Sequence, residues 1–599
     1  MHELLQVPFD AAVIMKKKKR IKRELLAESE ERIPCNIAIL GGSTTAPVKD
    51  ALELFLLDKG IAPSFYESEY NKWYEDIMFG NEELSAFKPR IVYIHTSFVN
   101  LTALPAAGDS KETIESKIDE TYAAYDKCWN KITNDYGAMI IQNNIEFPDV
   151  RHYGNLDASE SSGLLYFIDR LNQKMAEAAQ TLPNLFLQDI RYLAANYGLS
   201  KWHDKEFYAL YKVAMASEAI PYLAQNLAAM MGSLLGRTKK CLVLDLDNTL
   251  WGGIVSEDGV EKLSIGHETA LGESFLAWQK YILQLQKRGI ILAVCSKNDM
   301  DIAKSGFSHP DCLLNPEDFI SFHANWEPKS HNISQIAKEI NIGLDSLVFI
   351  DDNPAERAIV REQLPMVTVP EVEGGEPFSY IRAIEDGKYF EVTTISEDDY
   401  KRNQTYQQNK QRKSLELNSD SYDDFLKGLE MKAYIRPFEE VYIPRIAQLT
   451  NKSNQFNLTT RRYTEEEIRQ IAQDDHFITL YGRLADRYGD NGVVSVVIGE
   501  IKDKELHVRL WLMSCRVLKR NMEYAMLDEL IHQTLIMGIN KVVGYYIPTK
   551  KNKMVSTLLD DFGFQHKSDT DGMSIWDFSV PDKYKNRNKF IEVLKDEAK

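Results

Sequence analysis

Short apolar runs alternate along the chain with longer stretches in which apolar residues recur every three or four positions. That is the pattern of strands interleaved with amphipathic helices, and so of α/β domains built on mostly parallel sheets. In a first block the runs at 36–40, 90–95, 137–142 and 184–187 read as strands. A second block repeats the pattern at 241–244, 290–294 and 347–350, and Phe275, Trp278, Ile282 and Leu285 form one helical face between its first two strands. Lys287 and Arg288 in the last turn and Gly289 after it stop this helix and complete a β-α-β unit. From 395 to 418 the pattern yields to Lys, Gln, Asn and acidic residues, the mark of a connector. Beyond it, runs at 492–501 and 505–513 flank Lys502-Asp503-Lys504 as an antiparallel hairpin, followed by a helix near 522–537 and a strand at 542–547. The expected division is an α/β domain at 1–235, a second at 236–394, a connector at 395–430 and a mixed α/β domain at 431–599.

Composition narrows the classes. With 599 residues, 44% of them hydrophobic, the chain can bury several cores. A net charge of −18 argues against a general nucleic-acid binder, and the one basic run, 16–23, reads as a solvated helix face. No apolar run approaches the roughly 20 residues of a membrane span, and the amino terminus carries its charge after its apolar segment, the reverse of a secretory signal. The expected location is the cytoplasm. Six cysteines (Cys35, Cys128, Cys241, Cys295, Cys312 and Cys515) lack CxxC spacing, so neither a disulfide framework nor a zinc site is suggested.

The chemistry concentrates in KCLVLDLDNTLWGGIV, residues 240–255, where an apolar strand runs into Asp245 and Asp247. Carboxylates at a buried strand end are costly unless a cation compensates them. Three further pieces follow in order: Ser296 in VCSKND, Lys329 in WEPKS, and Asp351-Asp352 in VFIDDNPAER. This order resembles the haloacid dehalogenase (HAD) superfamily of phosphotransferases. The resemblance implies Asp245 as nucleophile toward phosphorus and Asp247 as general acid and then base. It implies Mg2+ held by Asp245, the Asp247 carbonyl and Asp351, the oxygen environment that ion demands. Ser296 and Lys329 would hold the phosphoryl oxygens of a small phosphorylated substrate, with Thr249, Asp352 and Asn298 in support. Thr249 and Ser296 are 47 positions apart and Ser296 and Lys329 only 33, so neither gap holds a sizeable cap domain. Such a site stays open to a substrate carried on a protein, or is roofed by a neighbouring domain.

The phrases DLDNTLWGGIV, CSKND, WEPKS, FIDDNPAER, TNKSNQFNLTTRRYT and SCRVLKRNME resemble the FkbH-like branch of HAD subfamily IIIC across nearly the whole chain. That likeness implies a HAD-type Rossmann-like parallel sheet flanked by a flavodoxin-like, SGNH-hydrolase-type first domain and a GNAT-like last domain. It also implies transfer of a glyceryl unit from 1,3-bisphosphoglycerate to an acyl carrier protein. Each flank departs from its pattern. In the first, Ser43 stands where an SGNH nucleophile would, Asn143 or Asn144 could donate to an oxyanion and His203 could be the base, but Ser200 replaces the orienting Asp. In the last, Lys519 and Asn521 replace the small residues of the CoA pyrophosphate loop, leaving Arg516, Lys519 and Arg520, with Arg461 and Arg462, to attract a pantetheine phosphate or an acidic carrier. Cys295 and Cys515 are candidate acyl-carrying thiols. A plain magnesium phosphatase and a non-catalytic assembly protein are the competing readings.

Overall fold

The computed structural model describes residues 2–28, 32–395, 397–400, 408–409, 411–412, 415–570, 572–581 and 583–594, apart from the side chains of Glu397, Asp398 and Cys515. The chain divides into two compact units. The first, Met1–Arg237 with Arg462–Ile471, is built on five parallel strands: β1 (Ile33–Gly41), β2 (Ile61–Glu67), β3 (Ile91–His95), β4 (Met139–Asn143) and β5 (Leu185–Gln188). Their order is β2-β1-β3-β4-β5, the flavodoxin-like order, which reverses between β1 and β3. β3 and β4 are buried at every position, as central parallel strands must be, and so open on the apolar runs Ile91–Ile94 and Met139–Ile141. The sequence pattern missed β2, whose IAPSFYE carries a proline and polar residues that only an edge strand tolerates. Helices Ala11–Ala27, Ala46–Asp58 and Ile220–Leu234 pack against one face of the sheet, and Lys111–Tyr136 and Leu164–Thr181 against the other.

Arg462–Ile471 groups with this unit rather than with its sequence neighbours. Arg462 Nη1 donates to Leu235 O at 2.8 Å, and Thr464 Oγ1 to Gly137 O at 3.3 Å. No run of apolar residues advertises that placement, so the sequence pattern left the segment within 431–599.

In the second unit, β6 (Cys241–Leu244), β7 (Ile291–Ser296), β8 (Ser321–Ala324) and β9 (Leu347–Ile350) form a parallel sheet in the order β8-β7-β6-β9. Alternation divides β6 cleanly: Leu242 and Leu244 join Trp278, Ile282 and Tyr380 on one face, while Cys241 and Val243 join Ile333, Ile336 and Val360 on the other. β8 went unseen because four residues, two of them half-exposed, leave no periodicity to read. The same unit carries a nine-stranded mixed sheet: β10 (Met431–Arg436), β11 (Phe456–Asn457), β12 (Phe477–Asp486), β13 (Gly489–Lys502), β14 (Glu505–Met513), β15 (Lys541–Tyr546), β16 (Gln565–Thr570), β17 (Met573–Ser579) and β18 (Ile591–Val593). The predicted hairpin is the β13–β14 pair, antiparallel from Ser495↔Met513 to Lys502↔Glu505. Part of the expected connector, 401–407 included, lies outside the described residues. No described helix is long and apolar enough to cross a membrane.

Candidate active site

The register of the four-stranded sheet builds the site. Leu244 pairs with Ile350, so Asp245 and Asp351 leave adjacent strands side by side, and Asp245 N–H donates to Ile350 O at 3.1 Å. Both carboxylates are buried, Asp351 completely. Lys329, at the start of the helix Lys329–Ile340, is 3% exposed and supplies the compensating charge: Nζ donates to Asp245 Oδ2 at 2.7 Å and to Asp351 Oδ2 at 2.5 Å. Burial alone would push this ammonium down, but the two carboxylates outweigh burial and hold it above its usual value. Burial and the neighbouring Asp245 raise Asp351. Burial likewise raises Asp352, again with Asp245 adding to the shift.

Asp247 sits one turn of loop further on, half-buried, in a fixed frame. Its Oδ1 accepts from Trp251 Nε1 (3.0 Å) and Val255 N–H (3.1 Å), and its Oδ2 from Asn298 Nδ2 (3.0 Å). Burial raises its pKa although those hydrogen bonds favour the anion. The Trp-Gly-Gly that follows is required by this turn. A Cβ on Gly252 would lie 2.8 Å from the Phe275 ring, and Gly253 has φ +101°, a conformation only glycine adopts without strain.

Thr249 Oγ1 accepts Asp352 N–H at 3.0 Å and its carbonyl accepts Trp278 Nε1 at 3.0 Å, which ties the β6 loop to the β9 loop. Ser296 ends β7, buried, on the other side of β6. The structure thus gathers Asp245, Asp247, Thr249, Ser296, Asn298, Lys329, Asp351 and Asp352 around the carboxyl ends of β6, β7 and β9, where ligands of open α/β sheets bind. Oxygens of Asp245, Asp351 and Asp352 lie within 4.8 Å of one another, an all-oxygen set suited to a hard divalent cation.

Sequence reasoning missed the framework residues. Arg357 is buried, and its Nη1 donates to the carbonyls of both Asp351 and Asp352 at 2.8 Å, fixing the acidic loop. Tyr380 OH donates to Asn248 O at 2.9 Å. Arg357 closes the FIDDNPAER phrase, so its place there was a usable signal, whereas Tyr380 comes from a helix that no motif marks.

The flanking expectations fare differently. The Ser43 hydroxyl is buried with no hydrogen-bond partner among the described residues, so no base is paired with it. His203 Nε2 lies 2.9 Å from Phe147 O, and Asn144 is spent on Asp189 Oδ1 (2.7 Å) and Arg191 N–H (3.2 Å). Asn143 Nδ2 contacts His95 Nδ1 and Thr96 O, each at 3.1 Å. The serine-hydrolase arrangement anticipated from Ser43, Asn144 and His203 is not assembled.

In the mixed sheet, Lys519 and Asn521 both take φ +63°, the left-handed backbone that small residues would otherwise supply, and Lys519 is exposed. Arg520, by contrast, is not available to a pantetheine phosphate. It is 7% exposed and Nη1 donates to Asp486 Oδ2 at 3.1 Å, alongside Arg412, whose Nη2 donates to Asp486 Oδ1 at 2.8 Å. Arg516 lends its carbonyl to the Arg520 guanidinium (2.9 Å). The TNKSNQFNLTT motif fills the space where β14 and β15 part. Phe456 and Asn457 pair with Met513 and Leu512, Leu458 N–H donates to Trp511 O (3.0 Å), and Leu458 O accepts Ile547 N–H (2.9 Å). Cys295 is fully buried, its Sγ donating to Lys329 O (3.6 Å), and burial pushes its thiol well up, which removes it as an acyl carrier. The Cys515 side chain lies outside the described set.

The FkbH N-terminal domain family matches residues 36–231. The N-terminal part of protein BF1531 from Bacteroides fragilis, a structure described as containing a phosphatase domain complexed with Mg, shares 30% identity. The match covers 63% of this chain and 99% of that one, with a TM-score of 0.58. The ribosomal-protein-S18-alanine N-acetyltransferase from Escherichia coli shares 14% identity over 26% of this chain and 99% of its own, with a TM-score of 0.20. The PaiA N-acetyltransferase from Thermoplasma acidophilum, in complex with coenzyme A, shares 13% over 25% and 99%, with a TM-score of 0.19. No curated protein matches the chain. Fold and site define a multidomain α/β enzyme of the HAD phosphatase class. The chain belongs to the FkbH-like family.

Proposed function

We propose that this protein is a magnesium-dependent phosphotransferase that dephosphorylates a phosphoglycerate-type substrate and passes its glyceryl group to the thiol of an acyl carrier protein. The observation that carries the reading is the pair of carboxylates with different settings: Asp245 against the Lys329 ammonium, and Asp247 held by Trp251, Val255 and Asn298. Asp245, Asp351 and Asp352, with the Asp247 carbonyl, would hold magnesium, which neutralises phosphoryl charge when bound.

For the phosphate ester, an Asp245 oxygen attacks phosphorus and the P–O bond to the glyceryl oxygen breaks. Asp247 gives its proton to the departing alkoxide; its raised pKa keeps that proton available. Asp247, now a carboxylate, takes a proton from water as the water oxygen attacks the aspartyl phosphate, releasing inorganic phosphate and restoring Asp245. Lys329 and Ser296 steady the phosphoryl oxygens. At the acyl phosphate end, the carrier sulfur attacks the carbonyl carbon, the C–O bond to phosphate breaks, and the thiol proton leaves with phosphate. Overall, bisphosphoglycerate, carrier thiol and one water yield glyceryl thioester and two phosphates. The buried Arg520–Asp486 pair favours one other reading, a phosphatase that hydrolyses without acyl transfer.

The test incubates the purified chain with magnesium, 1,3-bisphosphoglycerate and the cognate holo carrier protein, and follows released phosphate and intact carrier mass. A glyceryl mass gain with phosphate release is expected. Phosphate without a carrier adduct selects plain hydrolysis, and no phosphate refutes both.

A further inference from the structure

Seven of the eight tryptophans are buried or half-buried, five of them (Trp129, Trp202, Trp251, Trp278 and Trp511) wholly so. Trp326 alone stands out, 69% exposed. Singly exposed aromatics are ordinary on a protein surface, but this one is anchored by hydrogen bonds that lead to the site. Its Nε1 donates to Asp299 Oδ1 at 3.2 Å, Asp299 N–H donates to Asn298 Oδ1 at 2.9 Å, and Asn298 Nδ2 donates to Asp247 Oδ2 at 3.0 Å. Asn325, the residue before it, donates from its backbone to Ser296 O at 3.2 Å, and Lys329 follows three positions on. An exposed aromatic surface is therefore anchored to the residue that exchanges protons and flanked by two residues that hold phosphate.

The acyl-transfer reading demands a thiol, and among the described cysteine side chains only Cys312 is not buried. Of the five cysteines whose side chains are described, Cys35, Cys128, Cys241 and Cys295 are buried, and Cys312 Sγ donates to Leu314 O (3.4 Å) and Gln279 Oε1 (3.5 Å). In that reading the thiol arrives on the carrier, on an arm long enough to reach a strand end. An arm of alternating amide and methylene groups matches an indole face, which takes C–H and N–H groups alike through dispersion and its negative π surface.

We propose that Trp326 is the platform on which an incoming pantetheine-like arm lies while its thiol approaches the substrate at Asp245 and Asp247. This rests on the acyl-transfer reading above. Trp326 determines specificity for the second reactant, while phosphoryl recognition belongs to Lys329 and Ser296.

The test titrates pantetheine into the full-length protein with magnesium, reading iodide quenching of tryptophan fluorescence, which reports the exposed indole, and affinity by calorimetry. Saturable protection from iodide is expected, with Trp326→Ala weakening the affinity about tenfold and Trp326→Phe recovering most of it. Unprotected fluorescence, or equal affinity in Trp326→Ala, overturns the platform. Phosphate release from 1,3-bisphosphoglycerate by the unaltered protein is measured beside it. If release fails while pantetheine still protects Trp326, the phosphotransferase reading falls and the binding surface stands. If release occurs without protection, the reverse holds.

Discussion

Replacing Lys329 by methionine keeps most of the buried stem and removes the charge, which isolates what that cation does. The ammonium lies 2.7 Å from Asp245 Oδ2 and 2.5 Å from Asp351 Oδ2, with side chains 3%, 10% and 0% exposed. At an effective dielectric near 20, each contact carries roughly 6 kcal/mol of gross attraction, most of it offset by the cost of desolvating the three ions. Removing one partner leaves the desolvated carboxylates facing each other without compensation, and the net loss is about 3–5 kcal/mol. Because the chain has several domains, a single unfolding midpoint would blur this. Hydrogen–deuterium exchange of the β6 and β9 amides reads it locally. In EDTA the Lys329→Met variant should exchange there roughly two to four orders of magnitude faster than the native protein, and magnesium should restore much of the protection by replacing one cation with another. Unchanged exchange in EDTA, or protection indifferent to magnesium, would refute the reasoning that these carboxylates require a cation.

Asp247→Asn keeps an oxygen for Trp251 and Val255 but cannot exchange a proton, and turnover should fall by about 10²–10⁴. In the native enzyme, kcat/KM should fall as pH rises through the Asp247 pKa, which burial sets above the ordinary carboxylate range, because the protonated form is the acid for the leaving alkoxide, and that limb should vanish in the variant. Asp486→Ala strands the buried Arg412 and Arg520 guanidinium groups and should destabilise the mixed sheet by about 3–5 kcal/mol, seen as faster exchange of β12 amides. Glu146, 1% exposed, is pushed by burial from 4.5 up to about 8. The folded state keeps a proton that the unfolded chain releases, so this group costs stability progressively as pH rises from 4.5 toward 8, and Glu146→Gln should flatten that decline in exchange of β4 amides.

The HAD-type centre was legible because its residues lie where one strand ends and the next loop begins, and parallel pairing returns every such end to one edge of the sheet. Asp245, Ser296 and Asp351 follow strands and Lys329 opens a helix, and the resemblance of their order to the HAD motifs named them from the sequence. Most strands seen in advance, β3, β4, β6, β7 and β9 among them, are buried at every position. Of those missed, β2 and β8 are edges whose mixed composition carries no period, whereas the long, internal β12 was passed over despite its buried run.

What the sequence determined by itself was the order and spacing of the carboxylates, the serine and the lysine, and their resemblance to the HAD superfamily is what implied phosphoryl chemistry there. Tertiary structure decided the state of every other candidate. It buried Arg520 against Asp486, shut Cys295 in the core, left Ser43 without a base, carried Arg462–Ile471 into the other unit and left Trp326 in the open. The physical reason is that a residue's type fixes what it can do, while burial and partners fix whether it can. Those depend on contacts between segments far apart in the chain, which no local pattern records.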